Sequence, residues 1–174
     1  SPVLAAFAEQ DGVNILDAQT LGDCRLARVV ALPPATALAT FDTAGSPITL
    51  LAANSGGAQA SSDPAQKGQI LPVVLYWRAE GPVTASYTVF TQLFDAAGQM
   101  VAQQDNLPVG GLAPTDTWQP GTLIRDAYRL QLPESAAAGG YTLHVGLYDA
   151  AGRRTLRLPD GSAADYLELP VQID

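Results

Sequence analysis

The chain predicts an all-β fold in which two antiparallel sheets pack as a sandwich, on three observations. Residues 87–99 read YTVFTQLFDAAGQ and residues 141–153 read YTLHVGLYDAAGR, so one alternating apolar run closed by one kind of turn is written twice. Alternation with period two marks a strand with one face on a core. Thirteen Pro and sixteen Gly punctuate the 174 residues, a density that suits short strands joined by turns and disfavours long helices. No window longer than about ten residues holds a clean helical period. A chain of this length buries roughly 70% of its unfolded surface, so a single core needs neither metal nor disulfide. We therefore expect one immunoglobulin-like sandwich domain over 1–174, with roughly eight to eleven strands. Residues 69–174 form its core, and residues 1–68 supply divergent N-terminal strands and a loop.

Candidate strands occupy 2–8, 13–18, 25–32, 48–53, 69–78, 86–95, 99–104, 123–132, 140–149, 153–158 and 166–173. Pro and Gly breakers separate them, among them Pro33-Pro34, Gly81-Pro82, Gly110-Gly111 and Asp160-Gly161. The segment 54–68 (NSGGAQASSDPAQKG) is small and polar and reads as a mobile surface loop. Residues 70–77 (ILPVVLYW) are apolar on both faces, which predicts a central strand with Trp77 in the core. In the first repeat Tyr87, Val89, Thr91 and Leu93 share one face, and Thr88, Phe90, Gln92 and Phe94 the other. In the second, Tyr141, Leu143, Val145 and Leu147 form a wholly apolar or aromatic face opposite Thr142, His144, Gly146 and Tyr148. Asp95–Gly98 and Asp149–Gly152 have a local cause. The carboxylate accepts an amide two residues on, and Gly supplies the left-handed conformation that closes a hairpin loop. Residues 133–138 (PESAAA) suit one helical turn.

Composition excludes several partners. The formal net charge is −8, and Lys67 is the only Lys among nine basic residues. Phosphate-backbone binding needs clustered Lys and Arg, so nucleic acid is excluded as a partner, as is an anionic membrane surface. Cys24 stands alone, which permits no internal disulfide. No run approaches the ~20 apolar residues of a membrane span, so no direct membrane insertion is expected. No signal-peptide pattern is visible. The opening Ser1-Pro2-Val3 reads as the start of a piece cut from a longer protein, whose targeting signals would lie outside it.

Few residues offer chemistry. A Ser-His-Asp or Cys-His group would have to use His144, the one histidine, which sits mid-strand and reads as a packing residue. Cys24, between Asp23 and Arg25, has no base beside it. One His and one Cys are too few for zinc. No phosphate-binding, nucleophile-elbow or zinc-protease motif occurs. Carboxylates are the one group in supply. Asp95, Asp105 and Asp149 lie in or beside predicted turns, where they either cap the turn or ligate calcium, which takes loop carboxylates and carbonyls. Turn capping is the commoner use, and no paired acids face a cleft as a glycosidase requires. Among aromatics, Trp118 lies in the Pro- and Gly-rich segment 107–122, where a Trp more often plugs the sandwich end and anchors its own loop than stacks on a sugar or a partner. Tyr128 and Tyr148 are the other candidates for stacking. Phe90, Phe94 and Tyr148 share one sheet face, as a second buried layer or as a binding platform.

Together, Tyr76-Trp77-Arg78, Tyr87–Asp95, Asp105, Pro114-Thr115 with Trp118 and Pro120-Gly121, Asp126 with Tyr128, and Gly140–Asp149 form a pattern over 69–161. It resembles a bacterial β-sandwich domain, notably of Chloroflexus type, that follows the multi-pass membrane portion of glycosyltransferases using lipid-linked sugars. Those enzymes are similar to the dolichyl-phosphate-mannose mannosyltransferase group. The resemblance implies an extracytoplasmic, non-catalytic domain tethered to the cell envelope, because the transferases' catalytic acids belong to their membrane portion. The expected function is accessory or interactive. A carbohydrate-binding module and a protein assembly module are the alternatives, with a glycan or another envelope protein as partner and no cofactor unless calcium.

Overall fold

The structure, a computed structural model, describes residues 13–21, 24–31, 37–56, 59–60 and 69–173, with side chains described over 37–56 and 69–173. The strands in chain order are β1 (Val13–Leu21), β2 (Cys24–Ala31), β3 (Ala39–Phe41), β4 (Ile48–Ser55), β5 (Gln59–Ala60), β6 (Gln69–Ala79) and β7 (Thr88–Phe94). They continue as β8 (Met100–Asn106), β9 (Leu123–Gln131), β10 (Gly139–Asp149), β11 (Gly152–Arg153), β12 (Leu156–Arg157), β13 (Ala163–Ala164) and β14 (Leu167–Ile173).

Every pairing among them is antiparallel, and a seven-stranded sheet, a five-stranded sheet and a two-stranded ribbon result. In the seven-stranded sheet the order is β13-β12-β3-β4-β6, with β9 on the other edge of β6 and β5 continuing the β4 side. The five-stranded sheet runs β8-β7-β10, and the far edge of β10 is shared by β14 and β11. β1 and β2 pair with each other in a ribbon of their own. The expected antiparallel two-sheet sandwich is what forms.

Period-two alternation explains the interior. Leu71, Val73, Leu75 and Trp77 of β6 point inward, with Val89 and Leu93 of β7 and Leu143, Val145 and Leu147 of β10, in one buried cluster. β6 is central, as its doubly apolar sequence requires, and the Phe41 ring meets the Trp77 ring edge-on at 5.7 Å. Burial of each such side chain contributes about 1.5–3 kcal/mol.

The two repeats are direct neighbours. β7 and β10 pair so that Thr91 faces Val145, and these are equivalent positions of the two copies. The pair is therefore locally two-fold symmetric. Both leading tyrosines anchor the chain beside their strand. The Tyr87 hydroxyl accepts the Ala44 N–H at 2.7 Å, and the Tyr141 hydroxyl donates to the Ala137 carbonyl at 2.8 Å.

Several elements differ from expectation. The segment 54–68 is not wholly loop: Asn54 and Ser55 finish β4, and β5 pairs with Gln69 and Ile70. Backbone pairing to the long, doubly apolar β6 draws these polar residues into the ladder. β3 and β13 go beyond the expected strands, being three and two residues long, too short to show a period. The expected strand 153–158 divides into β11 and β12, which join different sheets. Residues 133–138 make a hydrogen-bonded turn, Ala136 N–H to the Pro133 carbonyl at 3.0 Å, instead of a helical turn. The expected strand 2–8 lies outside the described residues.

Candidate functional site

Two of the aromatic candidates lie inside the sandwich. Trp118 is 4% exposed, and its indole N–H donates to the Ala113 carbonyl at 2.8 Å, so it plugs the sandwich and anchors its own loop. Thr115, fully buried, ties that loop to the segment leading into β7: its hydroxyl donates to the Ala85 carbonyl at 2.7 Å and accepts the Tyr87 N–H at 2.9 Å. Tyr128 is 2% exposed and points inward from β9. Neither Trp118 nor Tyr128 presents a ring face to a ligand.

Tyr128 belongs to a buried polar group centred on Asp126, which is 1% exposed. The Tyr128 hydroxyl donates to Asp126 Oδ2 at 2.6 Å, and the Val109 N–H donates to Oδ1 at 2.8 Å. Val109 has φ 57°, a left-handed conformation that strains a β-branched residue. Its bond to Asp126 helps hold that turn. Burial raises the Asp126 pKa above the ordinary carboxylate value, against the lowering effect of these hydrogen bonds. Trp77 Nε1 lies near enough to favour the carboxylate, yet makes no hydrogen bond of normal geometry. Burial and then the Asp126 charge raise the Tyr128 pKa far above that of a free phenol. This group is structural.

The three acids separate. Asp95 Oδ1 accepts the Ala97 and Gln99 N–H groups at 2.9 and 2.8 Å, and Asp149 Oδ1 accepts the Ala151 N–H at 2.9 Å. Both are turn caps in equivalent hairpins. Asp105 is not a turn residue, because β8 continues to Asn106 and carries it as a strand position opposite Phe90. There it accepts a hydrogen bond from the Tyr148 hydroxyl at 3.3 Å. Burial raises the Asp105 pKa, opposed by that bond and by the Arg153 charge. No group of three or more His, Cys, Asp or Glu side chains that could hold a metal ion gathers among the described residues. Cys24 opens β2, whose side chains lie outside the description.

What Asp105 and Tyr148 share is a cleft on the outer face of the five-stranded sheet. Phe90, Gln92, Asp105, Tyr148, Gly152 and Arg153 line a volume of about 240 Å³. Gly146 makes it possible. A Cβ there would stand 2.3 Å from Phe90 Cζ, so only glycine lets the Phe90 ring lie flat across β10. Phe90 is 1% exposed beneath the Arg153 guanidinium, which sits 4.5 Å from the ring centroid. Arg153 Nη2 donates to Gln92 Oε1 at 3.3 Å. The Phe90 and Tyr148 rings lie 6.3 Å apart.

Beside the cleft, His144 is sandwiched between Phe94 at 4.3 Å and Tyr166 at 4.2 Å, the latter nearly parallel at 16°. Its Nε2 lies 3.5 Å from Glu168 Oε1, and its side chain is only 15% exposed. Burial lowers its pKa below that of a free imidazole, Glu168 raises it, and Arg153 lowers it further. With both ring faces covered and Nε2 beside a carboxylate, His144 does not line the cleft. The two-fold relation of the repeats puts Phe94 beside His144 where it puts Tyr148 beside Phe90. Tyr166 covers one pair and Arg153 the other.

Sequence reasoning brought Phe90, Phe94 and Tyr148 onto one face and missed Gly146, Arg153, Tyr166 and Glu168. A lone Gly inside an alternating strand is a signal of close approach, and Gly146 carried it. Nothing local announced the others, which arrive from β11 and from β14 with the residue before it. The cleft offers one carboxylate, one guanidinium, one amide and one phenol above a buried Phe90, a set suited to holding a small polar ligand. Comparison with protein-family models, curated proteins and solved structures yields no match for this chain.

Proposed function

We propose that this domain is a non-catalytic accessory module that holds a carbohydrate in the outer-face cleft, outside the cytoplasm and as part of a larger cell-envelope protein. The observation that carries the reading is the cleft's composition: Asp105, Gln92, Tyr148 and Arg153 set together above the buried Phe90 ring. A pyranose has an apolar C–H face and a rim of hydroxyls that both donate and accept. Tyr148 offers the ring, Asp105 accepts from hydroxyls, Arg153 donates to them, and Gln92 does either. The resemblance to the sandwich domain of lipid-linked-sugar glycosyltransferases supports the extracytoplasmic setting, and the pair of facing antiparallel sheets supports immunoglobulin-like kinship. The enclosure of His144 by Phe94, Tyr166 and Glu168 supports a binding role over a catalytic one. No helix among the described residues is long and apolar enough to cross a membrane.

The test is a titration by NMR with glucose, mannose, galactose and N-acetylglucosamine. The expected result is saturable shifts at Tyr148, Gln92 and Arg153, with Tyr148→Ala weakening binding by up to about tenfold. Absence of any shift at millimolar sugar would overturn the reading.

A further inference from the structure

We propose that His144 in its neutral form is a positioning residue for the cleft: it stacks on Tyr166 and, through Tyr166, keeps Arg153 over Phe90, so that protonating His144 releases Arg153. The consequence for ligand affinity rests on the carbohydrate reading; the positional claim does not.

A continuous row of contacts carries this. Phe94 and His144 are 4.3 Å apart, His144 and Tyr166 4.2 Å, Tyr166 and the Arg153 guanidinium 5.8 Å, and Arg153 and Phe90 4.5 Å. Besides these rings, Arg153 is held by the Asp105 charge across the cleft and by a hydrogen bond to Gln92 that is long at 3.3 Å. It ends a two-residue strand paired to β10 at only two positions. The Phe90 and Tyr166 rings, together with the Asp105 charge, decide where the guanidinium sits, since each ring face attracts a cation through its quadrupole.

A proton on His144 disturbs this arrangement in two ways. An imidazolium 4.2 Å from Tyr166 draws on the same ring electrons that Arg153 uses, and its charge repels the guanidinium. Glu168, 3.5 Å from Nε2, attracts the imidazolium and offsets part of that repulsion. The groups facing His144 are Gln92 and Phe94 from β7, Tyr166 and Glu168 from β14 and the residue before it, and Arg153 from β11. Of these, Glu168 and Arg153 carry charge, and Asp105 faces Arg153 from β8 as the other titrating group of the cleft, so Asp105→Asn serves as the control that leaves only the His144 step. The lowered pKa of His144 agrees with a site that prefers the neutral ring.

The chain has one histidine, so its imidazole resonances are unambiguous. The experiment follows them by NMR in the intact chain from about pH 8 to about pH 5. It also follows the Arg153 δ-methylene protons, which the Phe90 ring shifts upfield. Loss of the Arg153 upfield shift with the same midpoint as His144 is expected, together with its persistence at every pH in His144→Phe. Arg153→Gln should raise the His144 midpoint, and Glu168→Gln should lower it. Arg153 shifts that stay constant through the His144 titration overturn the inference, as does an unchanged step in His144→Phe. In the sugar titration, affinity should fall about two- to fivefold below the His144 midpoint, and His144→Phe should bind without that step. Sugars that fail to bind at any pH refute the carbohydrate reading, while the Arg153 shifts still decide the positional claim.

Discussion

Gly146→Ala perturbs the point at which fold and cleft meet. The added Cβ would stand 2.3 Å from Phe90 Cζ, 2.4 Å from Cε1 and 3.1 Å from the Asp165 carbonyl oxygen, where ordinary contact begins near 3.4 Å. The Phe90 ring must retreat by about 1 Å, and the room is poor: it is almost fully buried, with Arg153 above it. Overpacking of this kind costs about 1–3 kcal/mol. Against it, Ala restricts the unfolded chain and returns about 0.4–1 kcal/mol. Overpacking wins, and the expected net loss is about 1–2 kcal/mol, or about 2–8 °C in melting temperature for a chain of this size. Urea denaturation measures it, and the same samples should show the Arg153 ring-current shift reduced. Adding Phe90→Leu to Gly146→Ala should recover about 1 kcal/mol relative to the sum of the single changes. A neutral or stabilising Gly146→Ala, or strict additivity in that cycle, would refute the claim that glycine is required for the Phe90 ring to lie across β10.

Two further outcomes test the interior. Asp126→Ala orphans the Tyr128 hydroxyl and the Val109 N–H and should cost about 2–4 kcal/mol in denaturant unfolding. Because the folded pKa of Asp126 is raised, its titration favours the folded state fully below pH 3.8 and the benefit is lost as pH rises through the folded value. The stability of wild type relative to Asp126→Asn should therefore fall as pH climbs from about 4 towards neutrality, and a rise over that window contradicts the desolvation argument. Trp118→Phe removes the 2.8 Å bond to the Ala113 carbonyl and should cost about 1–2 kcal/mol, and Trp118→Ala about 3–5 kcal/mol. Sugar-induced shifts in the folded variants should be unchanged; their loss without a stability change would make Trp118 a ligand contact after all.

Much of the face-level structure was legible from residues alone. Tyr141, Leu143, Val145 and Leu147 were expected on one face and all are buried, while His144 and Tyr148 were expected opposite and lie on the outer face. Asp95 and Asp149 behave as the Asp-Ala-Ala-Gly turns require. Asp105 was misplaced because a strand end is weakly marked: two extra residues moved it from a turn to the sheet and so to Tyr148. Trp118 and Tyr128 could be placed inside or outside only by knowing which way their segments fold back.

The difference lies in the range over which each interaction acts. Strand existence, alternation of faces and turn closure depend on φ/ψ preferences and side-chain chemistry within about ten residues, so they are written in the chain itself. Partner choice depends on packing all faces at once. β14 takes most of the free edge of β10 and leaves β11 only two positions, and that competition brings Tyr166 and Glu168 beside His144 and sets Arg153 above Phe90. No local pattern encodes such a meeting, because burying the inner rows of both sheets together selects the register, and the outer cleft follows from that register.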